Sequence, residues 1–246
     1  VYTPSDLAFY NRGRQFPQAA MDAVNGSLTS VMFPAFSKLQ DDTARLRNAV
    51  RKAFLLSTFA VFPLMALLAA VAEPLIRILL GEVWLPAVPF LQIACVIFAL
   101  WPVHTINLQV LNALGRSDIF LKLEIVKKIL SASVLFFSIR QGVLFLACME
   151  LVVSTPVSAV LNSHPNGRLI GYGTRRQVCD LLPMFLFVGL IGLGVAYIPS
   201  ALNRFGSVSA FLCLVAQGLA GVLAWSALIL VWRPEAWRIL LDQIPS

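Results

Sequence analysis

The sequence predicts an all-α, polytopic helical membrane protein with about seven transmembrane helices. Three observations carry that expectation. The 246-residue chain is 59% hydrophobic and only 13% charged, against roughly 25% charge in a soluble globular domain. Its apolar residues gather in long uncharged runs, at 53–72, 83–115 (apart from a neutral His104), 181–202 and 205–232. Its positive charges fall in the short segments between them. About 20 apolar residues cross the roughly 30 Å hydrocarbon layer as a helix. Backbone groups in lipid must be satisfied within their own segment, so such runs are helices. Alternating segments of about ten residues, the mark of a membrane β-barrel, are absent from the sequence.

In chain order, the first span is 7–36, apolar but holding Arg12, Arg14 and Asp22. Asn25-Gly26-Ser27 matches a glycosylation triplet, yet it falls inside that span and reads as a point of helix loosening. The second span is 53–72. The next stretch, EPLIRILLGEVW at 73–84, is too short to cross and reads as a helix lying on the outer surface. Spans follow at 83–115, at 119–139 with Lys122, Glu124, Lys127 and Lys128, and at 142–161 with Glu150. The last two are 181–202 and 205–232, and PEAWRILLDQ at the tail reads as an interfacial helix. Trp84 and Trp232 sit at segment ends, where interfacial aromatics belong. Pro63, Pro102, Pro156 and Pro183 lie in or at the start of spans and are expected to kink them.

Loop charge tests the count. Lys38, Arg45, Arg47, Arg51 and Lys52 follow the first span, and Arg77 alone follows the second. Arg116 and Lys122 come next, then Arg140, then Arg168, Arg175 and Arg176. Arg204 and finally Arg233 and Arg238 complete the series. Twelve cations thus fall on one side and three on the other, the asymmetry expected of seven spans with a cytoplasmic C-terminus. That orientation puts Val1 outside. The sequence has no signal peptide and starts with Val, so it reads as a C-terminal fragment of a longer protein.

The span at 119–139 poses a chemical question. Residues 129–139 alone reach about 16 Å, half a bilayer, so the helix must extend back past Lys128 and Lys127. Both lysines then lie about 12–14 Å from the cytoplasmic end, near the midplane. A cation there costs roughly 2.5–3.5 kcal/mol on insertion scales. Two readings compete. In one, Glu124 pairs with Lys128 and Lys127 snorkels to the interface. In the other, Lys127 and Lys128 line a wet cavity that takes an anionic substrate, and Arg12 and Arg14 repeat the pattern in another span. Arg12 and Arg14 also fit an interfacial anchor. Asp22 and Glu150 read as counter-ions or proton-coupling sites.

Several function classes are excluded or weakened. A net charge of +7 does not form a nucleic-acid patch, because the cations are dispersed among short loops. Cys95, Cys148, Cys179 and Cys213 show no metal-ligand spacing. His104 and His164 lie far apart, and no HExxH, GxSxG, paired-acid or P-loop pattern exists, so no enzyme, metal or cofactor is expected.

Three stretches carry a resemblance. They are FYNRGRQFPQ with NGSLTSVMFPAFSKLQDD, then FPLMALLAAVAEPLIRILLGEVWLPAVPFLQI, then LWPVHTINLQVLNALGRSDIFLKLEIVKKIL. Together they resemble the polysaccharide (O-antigen/lipopolysaccharide-type) flippase family of the multidrug/oligosaccharidyl-lipid/polysaccharide exporter superfamily, closely over the first 140 residues. Beyond that the likeness lies in hydropathy and loop placement, including the GYG-plus-basic loop at 171–176. The resemblance implies two helical lobes around a central cavity, twelve to fourteen helices in all. This chain would supply a C-terminal lobe, with residues 1–165 as its five-helix part and residues 166–246 as two added helices and a cytoplasmic tail. It implies alternating access for an undecaprenyl-pyrophosphate-linked oligosaccharide in a bacterial plasma membrane, alongside polymerase and glycosyltransferase partners. Lys127, Lys128, Arg12 and Arg14 suit the diphosphate by charge, with Glu124, Asp22 and Glu150 as counter-ions or coupling groups. A multidrug exporter of the same superfamily and a seven-helix receptor are the alternatives. The receptor lacks its expected triplets after the third and within the seventh span.

Overall fold

The computed structural model describes residues 3–202, 209–232 and 234–241. Arg204, Arg233, Val1 and the end of the PEAWRILLDQ segment, all used above, lie outside them. The described residues are helical almost throughout. The long helices are α1 (Pro4–Ser37), α2 (Thr43–Ala70), α6 (Ser117–Ser138), α9 (Thr174–Ala196) and α11 (Ala210–Trp232). The short ones are α3 (Ala72–Leu79), α4 (Val88–Ala99), α5 (Trp101–Ala113), α7 (Val143–Met149), α8 (Thr155–Leu169), α10 (Ile198–Leu202) and α12 (Glu235–Leu241). A 3₁₀ turn at Glu82–Ala87 leads into α4, and a π turn at Glu150–Ser154 joins α7 to α8.

Five segments are long and apolar enough to cross a membrane: α2, the rod from the 3₁₀ turn through α5, the rod α7–α8, α9 with α10, and α11. α1 and α6 have the length, at 34 and 22 residues, but carry the embedded charges noted above. The prolines divide into two groups. α4 and α5 are separate helices because the chain breaks at Leu100, just before Pro102. Pro156 lies at the start of α8, directly after the π turn. Pro63 and Pro183 sit inside continuous helices. The segment expected as one short helix over 73–84 divides into α3 and the 3₁₀ turn, and Pro74 and Ile76 of α3 are buried.

Local chemistry sets the helix starts. Thr3 and Asp6 form a reciprocal capping box on α1. Asp42 accepts from the backbone N–H groups of Ala44 and Arg45 at the start of α2. Each arrangement satisfies donors that a helix terminus leaves orphaned.

α2 is the central helix. Leu46, Val50, Phe54, Val61, Phe62 and Met65 are all buried on it, against α1, α4, α5, α9, α11 and α12. The outer helices are built the other way round. α11 exposes Phe211, Leu219, Leu223 and Val231 and buries Gln217. In lipid this arrangement is favourable, because apolar side chains lose nothing by facing acyl tails and polar ones need protein partners. Gln217 Nε2 donates to Ala70 O at 2.9 Å and Val195 O at 3.1 Å. It thereby satisfies carbonyls at the ends of both α2 and α9. Close approach does the rest: a Cβ on Gly13 of α1 would sit 2.8 Å from Ala87 O, Leu91 N and Phe90 Cβ. Only glycine lets α1 cross the start of α4 this tightly.

Opposite ends of the bundle hold opposite clusters. Arg51 of α2 binds Asp180 of α9 and Glu235 of α12, so those three segments share one end. The Gln217 contacts mark the other. α2 and α9, which touch, therefore run parallel, and α11 runs antiparallel to both. A buried amide network ties α5, α8 and α9 together on the first side. Asn107 and Gln177 exchange hydrogen bonds at 2.8 Å, and Asn166 donates to Asn107 Oδ1 at 2.6 Å.

Candidate functional site

A polar cavity of about 740 Å³ opens between α1, α5, α6 and the α7–π–α8 rod. It is built from helical periodicity. On α6, Phe120, Glu124, Lys127, Lys128, Ser131 and Val134 line it, a stripe recurring every three or four residues. The opposite face of α6 exposes Leu121, Ile125, Ile129 and Phe136. α6 is thus amphipathic about the cavity, with its charges toward the hollow. α1 contributes Tyr10, Arg14, Asn25 and Thr29. α5 contributes His104 and Thr105, and the π turn contributes Glu150 and Ser154.

Most of the charge in the cavity is paired. Arg14 Nη1 donates to Glu150 Oε2 at 2.5 Å and to Tyr10 Oη at 2.8 Å, and the Tyr10 hydroxyl donates to the same carboxylate at 3.1 Å. The Arg14 guanidinium also lies over the Tyr10 and Phe98 rings, at 5.2 and 5.6 Å. Lys127 pairs with Glu124. The expected partner in the structural reading was Lys128; the i,i+3 spacing wins over i,i+4 here. Lys128 makes no ion pair with the described residues and is exposed to the cavity. Three cations therefore meet two carboxylates, and Lys128 holds the surplus charge. Nearby, Asn162 Nδ2 lies 3.0 Å from His104 Nδ1, and Thr105 Oγ1 donates to Asn25 Oδ1 at 3.0 Å.

Arg12 and Asp22 do not reach this cavity. Two residues along a helix is about 200° of rotation, so Arg12 points away from Arg14. It lies 5.3 Å over the Trp84 ring and donates to Gln15 at 2.7 Å. It shares a second hollow of about 610 Å³ with Asp22, Asn11, Gln15 and Gln18. α1 is therefore polar on two faces. Sequence reasoning missed Tyr10, whose place one turn before Arg14 was the available signal. It also missed Ser131, one turn after Lys128. Among the described residues no group of three or more His, Cys, Asp or Glu could hold a metal ion.

Glu150 owes its position to the π turn, whose wider loop carries one extra residue. Thr155 Oγ1 donates to the Glu150 carbonyl at 2.9 Å and closes that turn. Pro156, with no N–H to give, follows immediately.

Comparison with known proteins gives a consistent relation. The model of a family described as "Polysaccharide biosynthesis protein" matches residues 1–89. An "Uncharacterized membrane protein in cps region" of Klebsiella pneumoniae is 30% identical over 135 residues, 55% of this chain and 28% of that protein. The teichuronic acid biosynthesis protein TuaB of Bacillus subtilis is 24% identical over 235 residues, 96% of this chain and 48% of its own. The succinoglycan biosynthesis transport protein ExoT of Rhizobium meliloti is 22% identical over 246 residues, 97% of this chain and 48% of its own. The chain spans about half the length, or less, of these relatives. No solved structure matches it. Over nearly all of its length the chain is thus similar to bacterial proteins named for teichuronic acid and succinoglycan biosynthesis.

Proposed function

We propose that this chain forms one lobe of a two-lobe exporter that moves a lipid-linked oligosaccharide across a bacterial plasma membrane for lipopolysaccharide, capsule or exopolysaccharide synthesis. In this reading the lobe crosses seven times, α1 and α6 included, with its C-terminus cytoplasmic. Residues 1–165 form the five-helix part, and residues 166–246 add two crossings and the tail. The cargo is an undecaprenyl-pyrophosphate-linked oligosaccharide, handed on to polymerase and glycosyltransferase partners.

One observation carries the reading: an interhelical cavity with a surplus cation at Lys128, beside the paired Lys127 and Arg14. Within a membrane a cation without a carboxylate is costly unless an anion or water meets it. A pyrophosphate supplies that anion, and the exchangeable Glu124 and Glu150 pairs let Lys127 and Arg14 follow it. Alternating access would then expose the site to each side as the lobes rock. Arg12 and Asp22 serve the same path from the second hollow, facing the other lobe, with Asp22 and Glu150 as candidate coupling groups.

The test is complementation of a flippase-null strain with the complete gene. Lys128→Gln should lower surface polysaccharide at least tenfold with the protein still in the membrane. Lys127→Gln should have the smaller effect, because it removes one half of a local pair. Wild-type polysaccharide from Lys127→Gln/Lys128→Gln would end the proposal.

A further inference from the structure

We infer that the chain carries, separately from the cavity, a built site for the phosphate headgroup of an anionic membrane lipid. It lies at the end of the bundle where α2 and α9 begin. A cleft of about 550 Å³ there is lined by Arg47, Arg51, Tyr172, Arg175, Arg176 and Asp180. Its charges are not equivalent. Arg51 is consumed by two carboxylates, Asp180 at 2.9 and 3.0 Å and Glu235 at 2.5 and 2.8 Å. The Tyr172 hydroxyl, buried, also donates to Asp180 at 2.8 Å. Burial first, then that hydrogen bond, raises the phenol's pKa, so it stays a neutral donor. Arg51 with its two carboxylates sums to −1, so Arg47, Arg175 and Arg176 leave the cluster at +2.

Arg47, Arg175 and Arg176 make no ion pair with the described residues. Two of them are nevertheless held in place. Arg47 Nε donates to Ile170 O at 2.7 Å, and Arg176 Nη1 donates to Gly171 O at 2.7 Å. Consecutive carbonyls of one loop thus anchor two guanidiniums and leave most of their N–H donors free. The loop can do this because Gly171 has φ +70°, and a Cβ there would sit 3.3 Å from Arg47 Cζ. A preorganised pair of forked donors suits phosphate oxygens better than freely moving charges do.

Its location selects the source of that phosphate. α2 and α9 are both long enough to span the membrane, so their first turns lie at headgroup depth. Basic clefts between helices at that level recognise anionic headgroups. The inference does not depend on what the cavity transports.

Native mass spectrometry tests it, with the protein encoded by the complete gene released from micelles holding equal phosphatidylglycerol and phosphatidylcholine. Wild type should retain phosphatidylglycerol preferentially. Arg175→Gln/Arg176→Gln should lose that preference by roughly thirtyfold, from about fivefold per cation at a membrane surface. Arg47→Lys keeps the charge and loses the fixed fork. It should also weaken retention, and it serves if the double variant fails to fold. Arg45→Gln/Lys52→Gln removes two charges outside the cleft and should change nothing. Equal retention of the two lipids by wild type, or an equal loss in the Arg45/Lys52 pair, would overturn the site. Displacement of the lipid by millimolar inorganic phosphate would assign the cleft to a soluble anion and overturn the lipid reading.

Discussion

Replacing Gly13 with alanine sets two effects of known size against each other. Glycine inside a helix is worse than alanine by about 1 kcal/mol, so propensity alone favours the variant. Packing opposes it. The new methyl would lie 2.8 Å from Ala87 O, Leu91 N and Phe90 Cβ, where ordinary contacts need about 3.5–4.0 Å. Two of the three are backbone atoms and the third is a Cβ, so no rotamer change relieves the clash. α1 and α4 must separate by about 0.7 Å or more, and a gap of that size forfeits a quarter to a half of each dispersion contact. Overpacking of this kind costs about 1–3 kcal/mol. The net expectation is a loss of up to about 2 kcal/mol, or a fall in Tm of up to roughly 8 °C at about 2–4 °C per kcal/mol. Thermal unfolding in detergent, followed by size-exclusion fluorescence, measures it. Gly26 is the internal control. It lies on the same helix with nothing within 4 Å of a new Cβ, so Gly26→Ala should hold or raise Tm. A Gly13→Ala protein that gains as much stability as Gly26→Ala would refute the close-crossing argument.

Three further outcomes are expected. A thermal double-mutant cycle on Arg14→Gln and Glu150→Gln should give a coupling of about 1–3 kcal/mol, below the 3–5 of a fully buried pair because these side chains are 21% and 28% exposed; additive effects would mean the pair does not form. Gln217→Leu should cost about 1–3 kcal/mol by stranding the Ala70 and Val195 carbonyls, and an unchanged Tm would show those carbonyls to be satisfied otherwise. In a cysteine-free background, needed because Cys148 and Cys179 are exposed, a water-soluble thiol reagent should label Lys128→Cys and spare Phe136→Cys; the reverse order would invert the assignment of the two α6 faces.

Period and charge made much of this legible. The uncharged runs located the long helices but not their starts: α2 begins at Thr43, ten residues before its run, because the helix continues back through Arg45, Arg47, Arg51 and Lys52. The polar stripe on α6 was implicit in the spacing of Glu124, Lys127 and Lys128. Partner choice was not. Arg14 and Glu150 are 136 positions apart, and no local rule links them. Whether Glu124 takes Lys127 or Lys128 depends on what each side chain meets across the cavity. The divergence of Arg12 from Arg14 could have been read from helical rotation alone. The π turn had only Pro156 as its herald, because an extra residue in a turn leaves hydropathy unchanged.

The Arg51 junction bears on how the chain is made. Synthesis runs from the N-terminus, so Arg51 emerges 129 residues before Asp180 and 184 before Glu235. Until both are translated, a guanidinium near the membrane surface waits without its fixed counter-charges. The three-residue junction therefore closes only once Glu235 has left the ribosome. A chain stopped short of Glu235 would keep helices α1 to α11 and the Arg51–Asp180 pair, and lack the second carboxylate on Arg51.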